Sequence, residues 1–299
     1  MARKASKKIA TPKRRKLLNI DANPKTVKGQ AFGFMTAVLY LSPASTSGVN
    51  LCAMAKIARC DVGCLNTGGQ GGIAKGGQTI STPDGELPSN DVQRARLWRS
   101  AEFNENRAVF LAQLCEEIAK FIAKAERKGL KPALRLNGTS DIRWEDEPVT
   151  WNGVAYPHIF AAFPALQCYD YTKIPNRRRA VGIPNYHLSF SFSSAVAFLP
   201  YVARVMNTQP ETNIVTVFRV KKGAPLPSRF LGREVIDGDE SDLRFLDARG
   251  VVVGLRAKGR AKKDTSGFVV DIDRPMLQPT RSVARRVARQ TEQQVPAFA

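Results

Sequence analysis

Histidine is scarce in this chain: only His158 and His187 occur among 299 residues, far apart in sequence. Chemistry that holds a metal between a histidine pair therefore has little to work with. Long apolar runs are missing too. No segment approaches the roughly 20 consecutive apolar residues of a membrane-spanning helix, and the N-terminus lacks the apolar stretch of a signal peptide, so the expected location is the cytoplasm, with no membrane partner. Cysteines number five, an odd count, and a reducing compartment argues against a disulfide framework. Free thiols or metal ligands remain.

Acidic residues are also in short supply, 26 against 46 lysines and arginines, which leaves a net charge of +20. Such an excess attracts polyanions, and nucleic acid is the expected partner. Residues 1–20 hold eight bases, from Arg3 to Lys16, and no acid. They read as a disordered basic arm. Residues 272–299 read as a basic C-terminal tail, and 21–271 as the folded domain.

What is present in that domain is a succession of short apolar runs: 31–41, 133–136, 165–171, 187–192, 212–220 and 250–255. Several are apolar at consecutive positions, as in Ile214 to Phe218 and Val251 to Val253, which suits strands covered on both faces. One long helix is predicted over 101–128, where Phe110, Leu114, Ile118, Phe121 and Ala125 recur at helical spacing before Gly129 and Pro132. Cys115 lies on its apolar stripe and reads as a small core residue. Strands alternating with crossovers predict an α/β fold with a complete or partial parallel barrel.

Three cysteines, Cys52, Cys60 and Cys64, crowd one loop after the first predicted strand. Gaps of seven and three residues let that loop present three sulfurs to one point, which suits a 4Fe–4S cluster with one iron left open. Zinc is the alternative, with Cys168 or His158 as its fourth ligand. The glycine run Gly68 to Gly77 follows without the Gly-Lys-Ser or Gly-Lys-Thr of a phosphate loop, so a flexible loop competes with an anion cradle. Asn137-Gly138-Thr139-Ser140-Asp141 ends the next strand, where α/β proteins bind ligands; a capped turn is the other reading.

Tyr169, Asp170, Tyr171 and Lys173 close the strand after that. With Asp141, the residues Tyr169, Asp170 and Lys173 form the candidate catalytic set, and a DNA-nicking role for Tyr169 or Tyr171 is a third reading. The acidic stretch Asp237, Asp239, Glu240, Asp242 and Asp247 holds either a divalent metal or salt bridges to the basic body. Arg256, Lys258, Arg260 and Lys262 at every second position, with Lys263, would line one side of an extended strand. Together with Arg177, Arg178 and Arg179 they are the candidate nucleic-acid surface, against a merely solvated edge.

Leu41-Ser42-Pro43-Ala44, the cysteine loop, Arg135 to Glu145, Tyr169 to Arg178, Asn185-Tyr186-His187, Val235 to Asp239 and Gly254 to Lys258 together resemble the gene-product-88-like family of bacteriophage and prophage proteins, over roughly residues 20–271. That resemblance implies no activity. The layout is also distantly similar to radical S-adenosylmethionine enzymes. The likeness implies Cys52, Cys60 and Cys64 as cluster ligands and Asn137 to Asp141 near S-adenosylmethionine, although the cysteine spacing differs and Leu65 stands where those enzymes carry an aromatic residue. A protein acting on nucleic acid or a nucleotide-derived substrate is the expectation. Its rival is a non-catalytic nucleic-acid binder with a zinc-bound or metal-free cysteine loop.

Overall fold

The computed structural model describes residues 15–273 apart from 22, 75, 83 and 84. In chain order the strands are β1 (Leu18–Ile20), β2 (Phe34–Leu39), β3 (Thr79–Thr82), β4 (Gly85–Pro88), β5 (Lys131–Arg135), β6 (Val149–Trp151), β7 (Val154–Tyr156), β8 (Gln167–Thr172), β9 (Tyr186–Ser191), β10 (Ile214–Phe218), β11 (Arg229–Phe230), β12 (Arg233–Asp237) and β13 (Val252–Arg256). The helices are α1 (Pro24–Lys28), α2 (Ala44–Ser47), α3 (Asp91–Glu105), α4 (Arg107–Arg127), α5 (Ile159–Ala162), α6 (Arg178–Val181) and α7 (Leu199–Thr208). Among the described residues no helix is long and apolar enough to cross a membrane.

One sheet, with nine strands among the described residues in the order β1-β2-β5-β8-β9-β10-β13-β12-β11, organises them. The strands from β2 through β12 in that order are parallel, and an antiparallel strand closes each edge. All six apolar runs read from the sequence are strands of this sheet. Pairs β3–β4 and β6–β7 stand apart as small hairpins.

Register separates the two faces. Cross-strand partners share a face, and the rows Ala37–Leu134–Cys168–Tyr186 and Phe190–Ile214–Val252 are apolar. On them pack Leu114, Cys115, Ile118 and Phe121 of α4, and Val202 and Val205 of α7. Cys115 is thus the buried hydrophobe expected of it. The opposite face is mixed: Thr36, Arg135, Tyr169, Tyr171, His187 and Ser189 alternate with the apolar rows. Leu243 and Phe245, from the connection between β12 and β13, pack there against Phe34, Ala133 and Tyr169.

Several expectations change. The ladder ends at β1 and β11, and no pairing joins those edges among the described residues, so the sheet is open where a complete barrel was an option. Lys16 to Ile20 do not belong to a disordered arm: Leu17 and Leu18 are buried, and β1 pairs with β2 because these two leucines can join the α4 core. Residues 1–14 and 274–299 of the two tails lie outside the described residues. The predicted helix over 101–128 divides at Asn106, whose N–H still caps α3 on Glu102 while its C=O starts α4. Its first part extends back to Asp91, where Asn90 accepts from the Gln93 N–H as N-cap.

Candidate active site at the strand carboxyl ends

Four parallel strands end at one cavity of about 160 Å³. Cys52, Cys60 and Cys64 line it from the loop after β2, Asn137 to Asp141 from the end of β5, Lys173 from β8 and Ser191 from β9, with Arg135 and Tyr171 also in its wall. Parallel sheets put their ligands at this end because the strand-end loops and their free backbone groups gather there. The sequence-predicted cysteine loop and small polar motif therefore share one site.

All three thiols are free and half-buried. The Asp141 N–H donates to the Leu51 carbonyl at 2.7 Å, and the Ser193 hydroxyl to the Ala58 carbonyl at 2.7 Å, which ties the cysteine loop to β5 and β9. Cys52 Sγ contacts the Thr139 carbonyl at 3.8 Å, Cys60 Sγ that of Ala55 at 3.8 Å, and Cys64 Sγ accepts from the Asn66 N–H at 3.4 Å. Burial, reinforced by Asp141 and the neighbouring sulfurs, pushes Cys52 well up. Burial raises Cys60 to about 11, against the pull of Lys173. The same effect raises Cys64, against the Asn66 N–H, Arg96 and Arg260. At neutral pH these thiols hold their protons, and a bound cation is what would release them.

The small polar motif is largely occupied with itself. Asn137 Oδ1 accepts from Ser140 Oγ, the Ile142 N–H and Trp144 Nε1 at 2.9, 2.9 and 3.2 Å, and the Thr139 hydroxyl donates to the Leu41 carbonyl. Gly138 serves close approach, since a Cβ there would stand 2.6 Å from the Tyr40 ring. The turn reading thus accounts for these side chains. Asp141 differs. Its Oδ2 accepts from the Lys173 N–H at 2.7 Å, while Oδ1, 3.6 Å from Arg177 NH1, has no hydrogen-bond donor among the described residues. Burial raises the Asp141 carboxyl, with Arg177 opposing.

Strand β8 sends its polar residues in two directions. Tyr169 is wholly buried, and its hydroxyl and that of Tyr171 donate to the two oxygens of Asp242 at 3.2 Å each. Tyr169 lines no part of the cavity and is set as a core strut, not as a nucleophile that DNA could meet. Asp170 points to the other face, where it accepts from the Asn137 N–H at 2.7 Å and the Tyr186 hydroxyl at 3.1 Å. Lys173 reaches the cavity wall. Its Nζ donates to the Ser191 carbonyl and hydroxyl and the Phe192 carbonyl at 3.0–3.1 Å, and lies 5.0 Å from the Phe268 ring centre. Burial lowers the Lys173 ammonium, while Cys60 and Asp141 oppose that.

The first part of the glycine run, to Ile73, is packed against helix α3, which grips carbonyls of this stretch and of Asn66 before it: Gln93 Nε2 donates to Asn66 O and Gly71 O at 2.7 Å, Arg96 NH1 to Asn66 O at 2.7 Å, and Asn90 Nδ2 to Ile73 O at 2.8 Å. A Cβ on Gly71 would meet Asn66 O at 2.6 Å. Glycine is required there because the backbone itself is the packing surface. These α3 residues escaped sequence reasoning because the helix is polar on its buried side. Asn90 beside Asp91, an N-cap signature, was the available signal.

The basic candidates fare unequally. Arg177 is buried against Glu145. Arg178 and Arg179 are exposed, Arg179 facing Asp146 at 3.1 Å. Strand β13 ends at Arg256, and Gly259–Lys263 form a 3₁₀ turn, so the alternate bases do not line an extended strand. Arg256 pairs with Asp237 at 2.7 Å, and Lys258 with Asp239 at 2.7 Å. Together with Asp242 to Arg135 at 3.2 Å and Asp247 to Arg244 at 3.3 Å, these contacts make the acidic stretch a salt-bridge belt. Arg260, Lys262 and Lys263 remain exposed.

Neither proposed fourth zinc ligand reaches the thiols. Cys168 is buried on the apolar face, and His158 caps α5 through Nδ1, which accepts from the Ala161 N–H at 3.1 Å. Among the described residues no three His, Cys, Asp or Glu side chains are gathered as a single metal ion needs.

No curated protein and no solved structure matches the chain. A family model described as Gene product 88 matches residues 5–272, which spans every element of the sheet, and the chain belongs to that family.

Proposed function

We propose that this protein carries a 4Fe–4S cluster on Cys52, Cys60 and Cys64 and acts on nucleic acid or a nucleotide-derived substrate at the cavity those cysteines line. The observation that carries the reading is the shared cavity: three free thiols from one loop meet Lys173 and the β5 strand end there. A single zinc ion needs sulfurs about 3.8 Å apart, from Zn–S bonds of about 2.3 Å in a tetrahedron. A cluster places each thiolate on a different iron and so accepts three cysteines that line a wall without converging on one point. The donor set is three sulfurs without a fourth, which leaves one iron for a small molecule; S-adenosylmethionine is the ligand implied by the layout. When bound, such a cluster supplies one-electron chemistry at that open iron.

The chain's own residues fit this role. Lys173, held beside Cys60 by three acceptors, places an ammonium where thiolates would carry negative charge. Helices α4 and α7 cover only the apolar face while polar side chains occupy the other, an arrangement that suits a partial barrel curled around its polar face.

Anaerobic purification tests the reading. A brown protein with about four iron and four sulfide per chain is expected, lost in Cys52→Ser, Cys60→Ser or Cys64→Ser and retained in Cys115→Ser. Colourless protein, or zinc in place of iron, would remove the cluster from consideration.

A further inference from the structure

The carboxyl ends of β10 and β13 carry two sets of bases that the fold treats differently. Arg256 pairs with Asp237 at 2.7 Å, and Lys25 and Lys258 pair with Asp239 at 3.1 and 2.7 Å, so these cations are spent on the acidic belt. Arg260, Lys262 and Lys263 on the 3₁₀ turn Gly259–Lys263, and Lys221 and Lys222 just after β10, are exposed and face no carboxylate at ion-pair distance among the described residues.

Short backbone contacts hold the two unpaired groups together. Arg219 NH1 donates to the Lys262 carbonyl at 2.7 Å and NH2 to that of Asp264, while the Arg219 N–H donates to the Val270 carbonyl at 2.8 Å. Arg256 NH2 donates to the Ala224 carbonyl at 2.8 Å, and the Ala224 N–H to the Lys221 carbonyl at 3.1 Å, which closes the turn bearing Lys221 and Lys222. Asp264, the acid that follows the 3₁₀ turn, is buried and takes its donors from Ser266 and Val269 inside the protein.

The turn also borders the thiol cavity. A Cβ on Gly63 would meet Ala261 Cβ at 3.3 Å and the Phe268 ring at 2.8 Å, and Gly63 and Phe268 both line that cavity. Arg260 is close enough to Cys64 to lower that thiol's proton affinity. Asp61, which lines the neighbouring cavity with Arg260, has Lys56 as its partner at 3.1 Å. Five cations gathered on clamped turns repel one another. A small anion would meet one or two of them, whereas a chain of phosphates meets them in succession and releases counterions at each contact.

We infer that Lys221, Lys222, Arg260, Lys262 and Lys263 form a track for the phosphate backbone of a nucleic-acid strand, laid along the rim of the thiol cavity. The inference rests on the nucleic-acid part of the proposed function, names where the strand is held, and needs no cluster.

Fluorescence anisotropy of the full chain with labelled oligothymidylate, read across a series of salt concentrations, tests it. Each phosphate contact on a single strand contributes about 0.7 to the slope of log affinity against log salt. The triple variant Arg260→Gln, Lys262→Gln, Lys263→Gln should therefore lower the slope by about 2, and Lys221→Gln with Lys222→Gln by about 1.4. The control removes three exposed bases from the opposite end of the sheet, where α4 runs into β5: Arg127→Gln, Lys128→Gln and Lys131→Gln. It should leave the slope near that of the parent. Equal losses in the control and the track triple would reduce the effect to net charge and overturn the track, as would a slope that neither track variant changes; in both cases the strand binds elsewhere and the nucleic-acid reading stands. A parent chain that fails to bind the strand even at low salt would remove that reading together with the track.

Discussion

Arg177 and Glu145 meet in a two-pronged ion pair inside the protein: Nε donates to Oε1 at 2.7 Å and NH2 to Oε2, with the arginine side chain 3% exposed and the glutamate 1%. A guanidinium held this way braces the turn after β5 against β8 and is not available to a phosphate. Arg177→Gln strands a buried carboxylate and should cost about 3–5 kcal/mol in urea denaturation. Arg178→Gln, one residue on and exposed, should stay within about 0.5 kcal/mol of the parent. Equal stabilities for the two variants would refute the brace.

Asp242 ties together Tyr169, Tyr171 and Arg135 from the opposite side of the sheet. Tyr169→Phe removes one buried hydrogen bond and should cost about 1 kcal/mol, with no change in nucleic-acid binding and no covalent DNA adduct to lose. Asp242→Asn also leaves the Arg135 guanidinium without its carboxylate and should cost several times as much, about 3–5 kcal/mol. A Tyr169→Phe variant that abolished a protein–DNA adduct would restore the nicking reading.

Burial raises the Asp170 carboxyl to about 7, with Arg135 opposing, whereas an unfolded aspartate titrates near about 3.9. Between those values the folded chain holds a proton that the unfolded chain has released, so this group's contribution to stability falls as pH rises from about 4 to about 7. Subtracting the parent's stability from that of Asp170→Asn should therefore give a curve that climbs through that window and levels above it. A flat difference would show that Asp170 does not titrate there.

Gly138 sits where a Cβ would press within 2.6 Å of the Tyr40 ring and 2.7 Å of the Leu39 carbonyl oxygen. Gly138→Ala should cost about 1–3 kcal/mol through overpacking. Gly182, with an ordinary φ of −87° and nothing near its absent Cβ, is the matched control and should accept alanine without loss. Thermal melts of the two variants decide the matter.

The parallel strands were legible because buried strands are written as consecutive apolar residues, as in Ile214 to Phe218. Strand β1 was not, since Leu17 and Leu18 are two apolar residues at the end of eight bases, and only the α4 core explains their burial. The meeting of Cys52, Cys60 and Cys64 with Asp141 could be anticipated from a shared position after parallel strands. The self-satisfied hydrogen bonds of Asn137 and Thr139 could not, because sequence shows which groups a loop owns and not which of them are already engaged. Alternation misled at Arg256 to Lys262, where the strand stops at the residue that Asp237 holds.

Helix α3 spends its buried face on another segment's carbonyls. The course of the stretch that follows the thiols, from Asn66 to Ile73, is consequently dictated from downstream, by Asn90, Gln93 and Arg96. Grafting Cys52 to Gly72 alone onto a foreign scaffold would carry the sulfurs across and leave behind the helix that shapes the glycine-rich stretch after them.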